Sequence, residues 1–177
     1  MPIQVGDRIP NVTLRTVAAG REREVSPDEL FRGKRAVLFA VPGAFTPTCS
    51  DYHLPGFVEH ADDIKGKGID LIACVAVNDH FVMEAWGKAR DVGDKILMLA
   101  DGNGDFARAL GMDADVSRFG MGTRSRRYAA LVEDGVVKAL NIDQPGRFEL
   151  SSAEKILEAS IDENAHRELT DKLVASL

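Results

Sequence analysis

Two short stretches made almost entirely of apolar residues constrain the fold of this chain most strongly. Residues 36–41 are all apolar, and residues 69–77 are apolar apart from Asp70. Strands that carry apolar side chains on both faces lie inside a sheet that is covered on both sides. The segment after the second stretch repeats apolar residues such as Phe81 and Trp86 at helical spacing, which we expect to face the core. The sequence therefore predicts an α/β protein with a largely buried sheet.

The segments around these two strands complete the predicted order of elements. Asp134-Gly135 lies between two apolar runs, which is a strong hairpin signal. Residues 161–177 contain no Gly or Pro, so we expect a helical C-terminal extension of a single domain that comprises residues 1–177. The other predicted elements are an irregular hairpin over 12–25, a short helix opened by Ser26 and Pro27, a strand over 96–100, a helix over 105–110 and a helix capped by Ser151 or Ser152.

The charge balance argues against two broad classes of partner. The chain has 28 acidic and 22 basic residues and a net charge of −6, whereas binding to nucleic acid or to an anionic membrane surface favours a basic excess. No apolar run approaches the roughly 18 residues that a membrane span requires. The N-terminus lacks the basic and apolar regions of a signal peptide, so we expect a cytosolic protein.

Two cysteines, Cys49 and Cys74, are too few for a disulfide framework. In a reducing compartment such residues are either inert core side chains or reactive thiols. Cys49 would lie in the first turn of a helix that begins near Pro47 or Thr48, where free N–H groups and the helix dipole favour a thiolate. Pro55-Gly56 should kink or break that helix.

Thr46 and an arginine cluster could complete a site for an oxygen substrate around Cys49. The Thr46 hydroxyl could donate to the sulfur while it accepts from a peroxide O–H. The cluster contains Arg124, Arg126 and Arg127, and Arg127 opens a predicted strand, from which it could stabilise the thiolate and the leaving oxygen. From these residues alone Cys49 is as consistent with a buried apolar cysteine as with a nucleophile, because Thr46 could merely cap the helix and the arginines could form a solvated loop.

Other polar residues have simpler interpretations. His53 follows Cys49 by one helical turn and could orient nearby groups, but a hydrogen-bonded structural role is the preferred interpretation. No paired-cysteine spacing supports a zinc site. Residues 101–105 resemble the start of a calcium loop but lack its later glutamate, so we expect no metal.

The loop before Cys49 resembles a known active-site sequence. Residues 42–50, Pro-Gly-Ala-Phe-Thr-Pro-Thr-Cys-Ser, and residues 53–57, His-Leu-Pro-Gly-Phe, are similar to the active-site stretch of type II peroxiredoxins in the AhpC/TSA superfamily. The resemblance extends from near the start of the chain to about residue 159. Shorter matches that carry it lie at residues 77–79, 81–83, 85–86, 124–128 and 151–154.

This resemblance implies a thioredoxin-like fold, with a central mixed β-sheet flanked by helices, an N-terminal hairpin and an inserted strand and helix. It implies reduction of hydrogen peroxide and organic hydroperoxides to water or alcohols without a metal or another cofactor. It makes Cys49 the peroxidatic cysteine, which is oxidised to sulfenic acid, and assigns Thr46 and Arg127 to positioning the peroxide and activating the thiolate. Pro42 would shield the intermediate from water, Arg124 would have a supporting role, and two chains would pair as a homodimer.

The sequence leaves open how the sulfenic acid is reduced. Cys74 follows Cys49 by 25 positions, a spacing found in relatives that use glutathione or glutaredoxin, but it also lies in the middle of a predicted buried strand. Cys74 is therefore either a resolving cysteine or an inert core residue. In both cases an external thiol completes turnover, with glutathione and glutaredoxin as the first choice and thioredoxin as the second. A rival interpretation is a thioredoxin-fold peroxide sensor that relays oxidation from Cys49 to a protein partner.

Overall fold

A mixed β-sheet forms the centre of the structure, a computed structural model that describes residues 2–159. The predicted extension over 161–177 lies outside these residues. The strands are β1 (Leu14–Ala18), β2 (Arg21–Val25), β3 (Arg35–Ala40), β4 (Leu71–Ala76), β5 (Leu97–Ala100), β6 (Asp113–Asp115), β7 (Thr123–Ser125), β8 (Tyr128–Glu133) and β9 (Val136–Ile142).

Seven of these strands pair in the order β2-β1-β5-β4-β3-β8-β9. The central strands β3, β4 and β5 are parallel, and the strands outside them pair antiparallel with their neighbours. The predicted mixed sheet and N-terminal hairpin are confirmed, and Asp134 and Gly135 form the predicted turn with φ of 48° and 81°. The small β6–β7 sheet was not predicted, because three-residue strands carry too little pattern.

Helices cover both faces of the sheet. Along β3, Val37 and Phe39 contribute to one apolar cluster, while Ala36, Leu38 and Ala40 contribute to a second cluster on the other face, as the period of two in a strand requires. The helices are α1 (Pro27–Phe31), α2 (Leu54–Glu59), α3 (Ala61–Gly66), α4 (His80–Ala89), α5 (Asp105–Ala109) and α6, which is helical over 153–159.

The helical segment after β3 is continuous through Pro55, where the sequence predicts a kink or a break. It begins at residue 47, as expected, but it does not break at Pro55. Instead Cys49–His53 forms a π-helical turn, in which the Leu54 N–H donates to the Cys49 carbonyl. Proline cannot donate to the preceding turn and crowds its carbonyl, and the wider π turn accommodates this defect within a continuous helix.

The expectation for α4 is correct for only one of its two aromatic residues. Trp86 is completely buried, whereas Phe81 is 71% exposed. Met83 takes the place in the core that was expected for Phe81. The buried face of α4 is therefore rotated about the helix axis, by part of a turn, relative to the face predicted from sequence.

A pair of stacked rings fixes the helix that contains Cys49 against the sheet. Phe39 in β3 and Phe57 in α2 are both fully buried, and their ring centroids lie 4.0 Å apart with an angle of 8° between the rings. This contact attaches the helix to the central strand two turns beyond the cysteine.

We expect Phe57→Ala to lower the free energy of unfolding by about 3–5 kcal/mol, because it leaves a cavity beside Phe39. Urea unfolding followed by the fluorescence of Trp86, the only tryptophan in the chain, measures this change. The matched control is Phe119→Ala, whose side chain is 68% exposed and whose loss should change stability by less than about 0.5 kcal/mol. Equal effects of the two substitutions would contradict the assignment of Phe57 to the core.

Candidate active site

The chain between β3 and the following helix forms a tight loop. The Ala44 N–H donates to Asn78 Oδ1 at 3.0 Å, and the Ser50 N–H donates to the Thr46 carbonyl at 2.9 Å, which starts the helix. Phe45 has a φ of 65°, an unusual left-handed conformation for a residue with a side chain. These contacts fix the direction in which the first helical turn presents its side chains.

Sheet pairing brings Arg127 to the sulfur of Cys49. Ala40, the last residue of β3, pairs with Tyr128, the first residue of β8, so the residue before β8 lies next to the loop that follows β3. The Arg127 Nη2 group donates to Cys49 Sγ at 3.1 Å, within a site where Cys49 has no exposed surface. A guanidinium is always charged, so this donor places a positive charge directly beside the sulfur.

Thr46 lies beside the sulfur-bearing turn, but its predicted donation to the sulfur is incorrect. Its hydroxyl donates to the Gly43 carbonyl at 2.7 Å, three residues earlier in the loop. A carbonyl oxygen only accepts, so the single hydroxyl proton is used in this contact and the oxygen lone pairs remain to accept from an O–H group. Thr46 can therefore accept a hydrogen bond from a peroxide O–H without donating to Cys49.

A cavity of about 180 Å³ opens beside Thr48 and has Pro42 and Arg127 in its wall. It is the candidate entrance to the site. Three arginines contribute to its lining, and the one carboxylate among the lining residues already accepts several backbone N–H groups. The full lining comprises Pro42, Thr48, Ala114, Val116, Ser125, Arg126, Arg127, Asp143, Gln144, Pro145, Gly146 and Arg147.

Arg124 has a different position from Arg127. Its Nε donates to the Met121 carbonyl at 2.9 Å, and its Nη1 donates to the Val77 carbonyl at 3.0 Å. A Cβ added at Gly43 would lie 3.6 Å from Arg124 Nη1. Arg124 thus joins the end of β4 to the segment before β7 and packs against the active-site loop at Gly43. Both of its hydrogen bonds are to the backbone carbonyl groups of Met121 and Val77.

His53 is a member of the site for which the sequence favoured a structural role over an orienting one. Its Nδ1 accepts from Arg127 Nη1 at 2.8 Å, and its Nε2 lies 2.9 Å from the Ser151 carbonyl. Burial, and then the charge of Arg127, lowers the pKa of His53 from 6.5 to about 3, so the ring is neutral at neutral pH. The available signal was its spacing, because a residue four positions after Cys49 lies on the same face of a helix.

A second unpredicted contact fixes the residue after the cysteine. The buried Trp86 donates from Nε1 to Ser50 Oγ at 2.9 Å, so the indole joins α4 to the first turn of the active-site helix. The sequence predicted that Trp86 is buried, but burial alone does not identify its hydrogen-bond partner.

Cys74 lies in β4, where it pairs with Phe39 and is fully buried. Both cysteines belong to the same apolar cluster and are free thiols. Burial, and then the nearby Cys49, raises the pKa of the Cys74 thiol well above its usual value. Cys74 is therefore protonated at neutral pH and is a poor nucleophile in this conformation.

Two further sequence expectations concern metals and membranes. Within residues 2–159, no group of three His, Cys, Asp or Glu side chains is arranged to hold a metal ion. None of the helices in that part of the chain has the length and apolar character needed to cross a bilayer.

Comparison with known proteins identifies close relatives. The sequence profile of the Redoxin family matches residues 4–157. The chain is 51% identical over 161 residues to Peroxiredoxin-2E, chloroplastic, of Arabidopsis thaliana, covering 89% of this chain and 69% of that protein. It is 45% identical over 159 residues to Peroxiredoxin-2B of Arabidopsis thaliana, covering 89% and 98% of the two chains. The structure superimposes on reduced Prx3 of Vibrio vulnificus in complex with H₂O₂ with a TM-score of 0.86 and 52% identity, over 89% of this chain and 99% of that chain.

The neutral state of His53 makes stability depend on pH. The unfolded chain binds a proton at His53 below pH 6.5 while the folded chain does not until about pH 3, so this contribution to stability is present above pH 6.5 and is lost as the pH falls. Between pH 7 and pH 5 we expect the loss from His53 to be about 2 kcal/mol. Urea unfolding of the wild type and of His53→Gln at both pH values isolates the part of the stability change that is due to His53. An identical pH dependence in the two proteins would contradict the neutral state.

Proposed function

Because this chain belongs to the type II peroxiredoxins of the Redoxin family, it is a thiol peroxidase, and we propose that Cys49 is the sulfur that attacks the peroxide. One observation carries this proposal: the Arg127 guanidinium donates to Cys49 Sγ at 3.1 Å. Cys74 is an equally buried thiol, but its pKa is raised. The two cysteines thus have opposite chemical environments, and only that of Cys49 suits a nucleophile.

The proposed first step is a displacement at oxygen. The Cys49 thiolate attacks the terminal oxygen of the hydroperoxide, a sulfur–oxygen bond forms, and the oxygen–oxygen bond breaks. The leaving oxygen takes up a proton and departs as water or an alcohol, while Cys49 is oxidised by two electrons to sulfenic acid. Arg127 offsets the negative charge that moves from sulfur to the leaving oxygen. Thr46 accepts a hydrogen bond from the peroxide O–H, and this contact orients the peroxide.

The lining of the entrance supports a protective role for Pro42 as well. Its ring has no N–H and forms part of the wall beside Thr48 and Arg127. An apolar wall limits the access of water to the sulfenic acid between the two halves of the reaction. Arg124 packs beside Gly43 in the loop that contains Pro42, and its hydrogen bonds to the carbonyl groups of Met121 and Val77 hold it in that position.

We propose that an external thiol reduces the sulfenic acid. The first thiol condenses with it to form a mixed disulfide and water, and a second thiol cleaves that disulfide and restores the Cys49 thiolate. Glutathione with glutaredoxin is the first choice, and thioredoxin is the second. The arginines Arg126 and Arg147 at the entrance support glutathione, whose two carboxylates would be attracted to them.

Two sequence predictions remain proposals. A cytosolic location is one of them, and the relatives of this chain include chloroplastic forms. A homodimer is the other, and the exposed rings of Phe45, Phe81 and Phe119 are available for an interface, since they are 53%, 71% and 68% exposed.

We expect Cys49→Ser to abolish peroxide consumption, because a hydroxyl at this position is not ionised and does not form a sulfenic acid. The measurement is the loss of hydrogen peroxide under excess glutathione and glutaredoxin, with Cys74→Ala as the matched cysteine control. Turnover that persists in Cys49→Ser would refute the assignment. Rapid oxidation of wild-type Cys49 without sustained turnover by any of the three reductants would instead support the rival role of a peroxide sensor.

Cys74→Ala should retain most of the glutathione-driven turnover, because the Cys74 thiol is protonated and buried within β4. Alanine is preferred to serine, since a serine hydroxyl would be buried among apolar side chains. Non-reducing mass spectrometry after one equivalent of peroxide and glutathione should detect a glutathione adduct on Cys49. An internal disulfide, together with lost turnover in Cys74→Ala, would identify Cys74 as the resolving cysteine.

A further inference from the structure

We infer that His53 is a positioning residue for this reaction, which holds the Arg127 guanidinium against the Cys49 sulfur and connects it to the turn at residues 143–151. The inference rests on the proposed role of Cys49. It gives His53 defined partners and a defined task, where the sequence only favours a structural role.

The contacts of His53 are compatible with one protonation state. The Ser151 carbonyl only accepts, so Nε2 at 2.9 Å must donate its proton to it. The Arg127 guanidinium only donates, so Nδ1 at 2.8 Å must present a lone pair to it. Both requirements are met by the neutral ring with its proton on Nε2. The lowered pKa of His53 agrees with this state.

The shape of the guanidinium transmits the effect of His53 to the sulfur. Arg127 donates from Nη1 to His53 and from Nη2 to Cys49 at 3.1 Å. The group is planar and rigid, so fixing one terminal nitrogen determines the direction of the other. Without the imidazole acceptor, rotation of the side chain would move Nη2 away from the sulfur.

Ring contacts limit the movement of the imidazole itself. The His53 ring lies 5.0 Å from the Phe39 ring and 4.9 Å from the Phe148 ring, measured between centroids. The Arg127 guanidinium carbon lies 5.7 Å from the centroid of the same Phe148 ring. Phe148 therefore covers both partners of the Arg127–His53 hydrogen bond from the side of the 143–151 turn.

The far end of the connection is a buried carboxylate. Asp143 accepts the Glu149 N–H at 3.0 Å, the Leu150 N–H at 2.6 Å and the Ser151 N–H at 3.2 Å, and it also accepts the Ser151 hydroxyl. These four donors fix the turn and hence the direction of the Ser151 carbonyl. A continuous chain of hydrogen bonds thus leads from Asp143 through Ser151, His53 and Arg127 to the sulfur.

The first test compares His53→Leu, which removes both hydrogen bonds, with His53→Gln, whose amide can donate to a carbonyl and accept from an arginine. We expect His53→Leu to slow the second-order oxidation of Cys49 by about 10- to 100-fold, the scale expected for a displaced catalytic group, and His53→Gln to recover most of the loss. Stopped-flow fluorescence of Trp86 measures the rate. His60→Leu is the matched control, because His60 contacts Asp63 and Glu154 instead.

A double-mutant cycle separates positioning from general damage to the fold. If His53 acts through Arg127, His53→Leu should have little further effect on the oxidation rate in an Arg127→Leu background. A loss of the same factor in both backgrounds would overturn the inference. So would an unchanged rate in His53→Leu that unfolds like the wild type.

One readout does not depend on peroxide turnover, so failure of the proposed function is distinguishable from failure of this inference. In the unmodified protein, ¹⁵N resonances of His53 should report a bare Nδ1 and a protonated Nε2 at neutral pH. A protonated Nδ1 would overturn the inference even if the leucine variant failed to fold.

Discussion

A fully buried sulfur that is to react as an anion requires a nearby donor, and this single electrostatic need organises the proposed active site. Cys49 has no exposed surface, so water cannot supply that donor, and the Arg127 guanidinium supplies it. The pairing of β3 with β8 brings the two residues together from positions 78 apart in sequence. Much of the remaining structure then determines where that guanidinium points, through the π turn, the imidazole beside it and the turn that supports the imidazole.

The two cysteines illustrate how little of this chemistry follows from burial. Cys49 and Cys74 lie in one apolar cluster, both completely enclosed, on elements that pack against each other. The difference is a guanidinium on one sulfur and the interior of a strand around the other. Two thiols in the same core thus have different electrostatic surroundings, because these depend on local donors and not on average polarity.

The parts of the structure that depend on local patterns were predictable from sequence. The apolar strands, the Asp134-Gly135 turn and the helix start near Pro47 each have a signal within a few residues. The rest depends on distant neighbours. The partner of His53 at Ser151 lies 98 positions away, the exposed position of Phe81 follows from the packing of α4, and the proton of Thr46 is drawn to a carbonyl within its own loop. Motif resemblance pointed to the candidate active-site residues but not to the hydrogen bonds that connect them.

The enclosure of the Cys49 sulfur has a consequence for which oxidants can reach it. A hydroperoxide presents its reactive oxygen at the tip of a slender group, whereas a protein disulfide presents its sulfur atoms between two bulky chains. Cys49 has no exposed surface, and the candidate entrance has a volume of about 180 Å³, so steric access favours the slender oxidant over the bulky one. Burial of this kind favours a small oxidant over a bulky one, which is the selectivity that the proposed reaction at Cys49 requires.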